Sequence, residues 1–189
     1  MTKNNNTKHS STSLSCRIEQ EVYDALVEDA SKKGISLNSL MNNIAKHHIT
    51  WKRYADEIGF VPITKRMLGK IFHNLDEDTI TQLAKEIGGT VPRELLFLNY
   101  DKMSFENLMN ILEINANRFG SVKHIIANPF HTLNIHHGIN KKFSHFLAES
   151  HHTLADEMSL KLEITNADEN TVCMKFSDLD KHASTSTTI

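Results

Sequence analysis

Residues 13–48 read SLSCRIEQEVYDALVEDASKKGISLNSLMNNIAKHH, and this stretch decides the fold of the first part of the chain. Apolar and polar residues alternate strictly over residues 13–18, which is the period of a half-buried strand. Apolar residues then recur at helical spacing on both sides of Gly34, a residue type that ends helices in the left-handed conformation. Ser36 follows where its hydroxyl can cap the next helix. The pattern therefore predicts one strand and two helices, the second ending near Tyr54.

The predicted strand cannot be stable in a single chain. Leu14, Cys16 and Ile18 share one of its faces, and this apolar face requires a core. A lone strand leaves both backbone edges unpaired, and about 45 residues bury too little surface to fold alone. Two chains that pair their strands as an antiparallel ribbon remove both problems. Residues 13–18 are therefore predicted to hold an obligate dimer together.

With these features, residues 13–54 resemble the ribbon-helix-helix family of DNA-binding proteins (the Arc/MetJ/CopG type). The resemblance is carried by the strand SLSCRI, the helix EVYDALVEDASKK, the turn Gly34-Ile35-Ser36 and the helix LNSLMNNIAKHH. It implies a homodimer bound to double-stranded DNA, with the paired strands in the major groove.

The resemblance also implies which residues contact DNA. By position, the outward strand residues that contact bases are Ser13, Ser15 and Arg17. An arginine fork can bind two acceptors of guanine, and a serine hydroxyl can bond to several bases. The start of the second helix implies phosphate contacts by Ser36, Leu37 and Asn38, through backbone N–H groups and the serine hydroxyl.

The rest of the chain predicts a helix-rich α+β domain with a small antiparallel sheet. Several helical patterns come first, then strands over 122–127 and 131–136, a helix over 139–158 and strands over 160–165 and 171–176. Gly59 and Pro62 interrupt the helical pattern between the two parts. The predicted organisation is a disordered arm (1–11), a ribbon-helix-helix domain (12–58), an α+β regulatory or interaction domain (61–177) and a disordered tail (178–189).

The 12 histidines are the one unusual feature of the composition. His145, Glu149 and His152 share one face of the long predicted helix, and imidazole with carboxylate suits zinc or nickel. The spacing gives no closed ligand set, so the preferred interpretation is a solvated polar face with one or two histidines satisfied near the core. No bound metal is predicted, and the three residues stand only as metal candidates.

Composition limits the other classes of function. The net charge of -2 gives no global indication of nucleic-acid binding, so the DNA prediction rests on local pattern. No apolar run approaches the roughly 20 residues of a membrane span, and two distant cysteines indicate no disulfide framework, which favours the cytoplasm. Without a phosphate loop or nucleophile elbow, neither an enzyme nor a cofactor is predicted.

The sequence thus predicts a dimeric, sequence-specific DNA-binding transcriptional regulator whose C-terminal domain senses a ligand or binds a partner. One alternative is a protein-interaction or antitoxin-like module whose N-terminal unit only dimerises. Another is a histidine-based metal-binding regulator. The outward face of the strand discriminates the first two, because a DNA-binding ribbon needs polar or basic groups there.

Overall fold

The computed structural model describes residues 12–100, 102 and 104–178, and for Asp56 the backbone alone. This part of the chain contains helices and a four-stranded antiparallel sheet, which confirms the α+β class. It divides into two compact units, with the division between His47 and His48. The predicted disordered arm over 1–11 and residues 179–189 of the predicted tail lie outside the described residues.

The first unit contains two helices joined by a tight turn. Helix α1 spans Gln20–Lys32 and helix α2 spans Leu37–His47. The turn follows α1 because Gly34 adopts a φ of +64°, a conformation that costs glycine little. Ser36 caps α2 by accepting a hydrogen bond from the N–H of Ser39 at 3.1 Å. The two helices, the glycine stop and the serine cap are confirmed.

Residues 12–19 form neither helix nor strand. The strand predicted over 13–18 is therefore wrong for the single chain, which shows no ribbon-helix-helix unit. The physical reason is that a strand is held by hydrogen bonds to a neighbouring strand, and the described part of one chain supplies none here. Leu14, predicted to face a core, is 91% exposed.

The second unit begins with helical residues that the sequence pattern assigns to the first domain. A π-helical segment, His48–Lys52, follows α2 directly and leads into α3, Arg53–Ile58. Gly59 ends this helix. Tyr54 is buried in a cluster with Leu95 of the second unit, which explains why the division falls before α3 rather than at the predicted boundary.

Further helices precede the sheet, and each matches a predicted helical pattern. They are α4 (Lys65–Asn74), α5 (Glu77–Ile87), α6 (Thr90–Asn99) and α7 (Phe105–Ala116). Side chains of Thr64, Asp76 and Ser104 cap α4, α5 and α7 by accepting backbone N–H hydrogen bonds. None of the described helices has the length and apolar character needed to cross a membrane.

The sheet consists of two hairpins separated by one long helix. Its elements are β1 (Ser121–Ala127), β2 (Phe130–His136), α8 (Lys141–Glu157), β3 (Leu160–Ala167) and β4 (Thr171–Asp178). The strand order is β1-β2-β4-β3, and all neighbours are antiparallel. The four strands predicted in this part of the chain and the long helix between them are confirmed, and the turn that joins β1 to β2 contains a cis peptide bond at Asn128-Pro129.

One face of the sheet carries the main core of the second unit. Alternate residues of the central strands, including Leu133, Ile135 and Met174, are completely buried. They pack in one cluster with Phe143 and Leu154 of α8 and with residues of α4, α5 and α7. This core fixes the positions of α5, α7 and α8, which line the cavity described below.

Candidate functional site

The residues predicted to contact bases lie ahead of α1. Ser13, Ser15 and Arg17 are all exposed. The apolar residues that alternate with them are exposed as well. In the described single chain, both faces of residues 13–18 are therefore exposed, and no buried face is distinguished from a DNA-contacting one.

The residues predicted to hold a phosphate lie together at the start of α2. The Ser36 hydroxyl accepts the N–H of Ser39 and lies 2.8 Å from the Ser39 hydroxyl. The N–H groups of Leu37 and Asn38 belong to the first turn, where helix geometry provides no intrahelical acceptor. No acidic residue lies in this turn, so its partial positive charge is not neutralised locally. The arrangement suits one anionic oxygen.

The charge of the N-terminal region is distributed unevenly. No aspartate or glutamate occurs between Asp29 and Asp56. The cations in that interval are Lys32, Lys33, Lys46, Lys52 and Arg53. The stretch that includes α2 is thus locally basic although the whole chain is not.

The predicted metal candidates do not form a ligand set in the described part of the chain. His145, Glu149 and His152 lie on α8, and Nε2 of His145 is 3.0 Å from the hydroxyl of Thr81. Among residues 12–178, as far as they are described, no three His, Cys, Asp or Glu side chains are placed to hold a metal ion. The contact of His145 instead links α8 to α5.

His137 has the most constrained surroundings of the described histidines. Its side chain is fully buried, and Nδ1 accepts the N–H of Ile139 at 3.1 Å. Nε2 therefore carries the proton and donates to the Ser144 hydroxyl at 2.7 Å, and that hydroxyl donates to the carbonyl of Asp168. Burial, aided by nearby positive charge, lowers the pKa of His137 to about 4. The neutral ring joins the start of α8 to the hairpin of β3 and β4.

Two other histidine contacts are internal as well. The buried ring of His151 donates from Nδ1 to the carbonyl of Leu147 at 2.7 Å, and burial lowers its pKa. Glu113, His124 and His131 form a chain of hydrogen bonds of 2.8 and 3.0 Å between α7, β1 and β2. The sequence predicted one or two histidines satisfied near the core, whereas His124, His131, His137 and His151 all have internal hydrogen bonds.

Arg118, directly after α7, lies among aromatic rings. Its guanidinium carbon is 3.9 Å from the ring centre of Phe60 and 4.3 Å from that of Trp51. Nη1 donates to the side-chain oxygen of Asn115 at 2.8 Å, but no described carboxylate pairs with the guanidinium. Although Arg118 is an exposed residue, partial desolvation of its guanidinium lowers the pKa of Arg118 to about 10, so the group is still a cation at neutral pH.

Arg118 lines two cavities of the second unit. The larger, about 350 Å³, extends toward Trp51 and Lys65. The smaller, about 190 Å³, lies among α5, α6, α7 and α8, with Phe119, Phe146 and other apolar side chains in its wall. Mostly apolar walls with a few polar groups are typical of small-molecule sites.

The smaller cavity also contains a hydroxyl without a partner. Ser150 is 4% exposed, and its Oγ has no hydrogen-bond partner among the described residues. It lines the cavity on the α8 side, next to His151. The adjoining Gly88 allows close backbone approach, because a Cβ there would lie 2.5 Å from Cα of Ser150. Ser150 thus belongs to the cavity wall and carries a buried hydroxyl with no partner among the described residues.

The sequence patterns identify neither Arg118 nor Ser150 as functional residues. The two residues belong to different elements and share no motif, so spacing alone carries no indication of their shared cavity. The only available indication was an arginine followed by Phe119 and Gly120 near the end of a predicted helix.

No protein-family model matches this chain, and no curated protein matches it at significant similarity.

Proposed function

We propose that the protein is a dimeric, sequence-specific DNA-binding transcriptional regulator of the ribbon-helix-helix type. The observation that carries the proposal is the exposed apolar surface of the first unit. Of its described residues, only Ala30 and Leu40 are buried. Its exposed apolar side chains are Leu14, Ile18, Val22, Tyr23, Val27 and Ile44. So small a unit with so little core needs a partner to be stable, and a second copy is the simplest one.

Residues 13–18 support an antiparallel pairing between the two copies. Pairing supplies hydrogen bonds to backbone groups that have no strand partner among the described residues of one chain. It also places Leu14, Cys16 and Ile18 on the inner face and the intervening polar residues on the outer face. Such a ribbon covers the apolar surface of the helices and presents Arg17 outward.

Double-stranded DNA is the ligand that the outward groups fit. Arg17 offers two parallel donors to guanine, and Ser13 and Ser15 offer adaptable hydroxyls. The start of α2 supplies N–H donors for a phosphate, and the acid-free interval after Asp29 adds local positive charge. The proposal combines base contacts from the ribbon with backbone contacts from α2.

The dimer is tested with two aspartates at neighbouring positions. Leu14→Asp places a charge on the inner face of the ribbon, so sedimentation at micromolar concentration should show a monomer. Ser15→Asp adds the same charge on the outer face and should remain dimeric. Since both residues are exposed in the single chain, a wild-type monomer or equal behaviour of the variants contradicts the ribbon.

DNA recognition is tested by titrating each variant, at fixed salt, against a site selected from random duplexes and a scrambled one. Arg17→Ala should reduce the preference for the selected site by about 1–3 kcal/mol. Ser36→Ala should weaken binding to both duplexes together, because a phosphate contact carries no base information. Lys33→Ala removes a cation outside the ribbon; it should weaken binding to both duplexes without changing their ratio, and so is the charge-matched control for the preference lost in Arg17→Ala.

These titrations also separate the proposal from its rival. An unchanged ratio of specific to non-specific affinity in Arg17→Ala contradicts base contact by the ribbon. A stable dimer that selects no duplex supports the rival, a protein-interaction module whose N-terminal unit only dimerises.

A further inference from the structure

Arg118 is an exposed residue whose cationic guanidinium pairs with no carboxylate among the described residues. Its guanidinium lies over two aromatic rings, and its resolved side-chain hydrogen bond is to the neutral amide of Asn115. An arginine has five N–H donors, so one neutral acceptor leaves most of them available. A partly desolvated guanidinium gains most from a carboxylate, which matches its fork with two parallel hydrogen bonds.

The smaller cavity has room and surfaces for the rest of such a molecule. Its volume is about 190 Å³, and a cavity of about 150 Å³ is enough for benzene. Phe60, Phe119 and Phe146 supply aromatic walls, and Val91 and Leu147 supply aliphatic ones. An aromatic or branched apolar group fits both the size and the character of this space.

Ser150 provides a second, independent indication of a polar group in the cavity. A buried hydroxyl without a partner costs about 1–3 kcal/mol, so it is rarely left unused. Its O–H can donate to a carboxylate oxygen, and it lines the same cavity as Arg118. The cavity therefore pairs a cation and a hydroxyl donor with apolar walls.

We propose that this cavity binds a small organic monocarboxylate with an aromatic or branched apolar body, whose carboxylate is bound by Arg118 and Ser150. One guanidinium balances one negative charge, whereas a phosphate dianion brings more charge and hydration than these walls can compensate. The proposal goes beyond the proposed DNA binding and assigns a ligand class to the C-terminal domain, which the sequence predicts to sense a ligand or bind a partner. Carboxylate binding does not require DNA binding, so the two proposals can fail separately.

Isothermal titration calorimetry of the full chain without DNA tests the binding, with benzoate, phenylacetate and 3-methylbutanoate as probes at constant ionic strength. At least one should bind saturably at millimolar concentration or below. Benzyl alcohol, which keeps the ring without the charge, should bind about tenfold or more weakly than benzoate. The only tryptophan, Trp51, contacts Arg118, so its fluorescence should change with the same saturation curve.

Variants then locate the site. Arg118→Met keeps an apolar stem between the rings and should weaken carboxylate binding about tenfold or more, while Ser150→Ala should weaken it severalfold. Arg93→Met is the matched control, since Arg93 pairs with Glu157 at 2.9 Å and does not line the cavity. Thermal melting checks that each variant is folded. If Arg118→Met does not fold, Ser150→Ala still tests the site.

The proposal is overturned if none of the three carboxylates binds at concentrations up to about 10 mM. It is also overturned if benzyl alcohol binds as tightly as benzoate, or if Arg93→Met loses as much affinity as the cavity variants. A carboxylate that binds wild-type protein and loses affinity in Ser150→Ala and Arg118→Met supports it. Loss of DNA binding in Arg17→Ala with unchanged carboxylate binding shows that the two proposals stand on different residues.

Discussion

Replacing His137 by glutamine should remove much of the pH dependence of stability of the second unit. The ring is neutral in the fold because burial lowers its pKa to about 4, whereas the unfolded chain has the ordinary value near 6.5. The unfolded chain therefore takes up a proton first as the pH falls. The stability due to the neutral ring is complete above pH about 6.5 and is lost as the pH falls toward about 4.

The expected magnitude follows from these two pKa values. At about 1.4 kcal/mol for each pKa unit, their separation corresponds to about 3 kcal/mol, of which about 2 kcal/mol is lost between pH 7.5 and pH 5. His137→Gln can keep the donor to Ser144 but loses the acceptor for the N–H of Ile139. The variant should be about 1–3 kcal/mol less stable at pH 7.5, yet lose less stability on acidification.

Urea unfolding at several pH values, followed by Trp51 fluorescence, measures this effect in the second unit. His151 remains in the variant and acts in the same direction, so a smaller pH dependence should persist. His73→Gln, at an exposed position of α4, should keep the wild-type pH dependence. Equal pH dependence in wild type and His137→Gln refutes the reasoning that burial keeps this ring neutral.

Three further outcomes are expected. Gly88→Ala should destabilise the protein by about 3 kcal/mol in chemical unfolding, because its Cβ would lie 2.4 Å from a backbone oxygen and 2.5 Å from Cα of Ser150. Gly34→Ala meets no atom within 4 Å and should cost only about 1–2 kcal/mol, for its positive φ alone; equal costs would contradict this contrast. The purified protein should hold no stoichiometric zinc, nickel or copper by elemental analysis. One metal per chain that disappears with His145→Ala or His152→Ala would establish the alternative of a metal-binding regulator.

Local sequence signals were sufficient for most of the secondary structure. The stop at Gly34, the cap at Ser36 and the acids at Asp76 act within one turn of chain, so they need no tertiary information. Alternation around Asn128-Pro129 and around residues 167–170 likewise defined both hairpins. These signals are confirmed because each depends on neighbours that are close in sequence.

The segment 13–18 shows where local pattern stops being sufficient. Its alternation is a property of the sequence, but a strand also needs a hydrogen-bonding partner, and the described residues of one chain do not provide it there. The extent of the second unit shows a similar limit. Gly59 correctly marked a helix end, yet the burial of Tyr54 with Leu95 joins the preceding helix to the larger unit.

The sequence by itself determined the order of the helices and strands from α1 onward, the α+β class and the alternating polar pattern from which DNA binding is proposed. Only the tertiary structure decided that His137 is a buried neutral ring and that Arg118 and Ser150 line one cavity. The physical reason is that caps, turns and periodicity act over a few residues. Burial and the lack of a hydrogen-bond partner instead depend on which distant segments pack together, here α5, α6, α7 and α8.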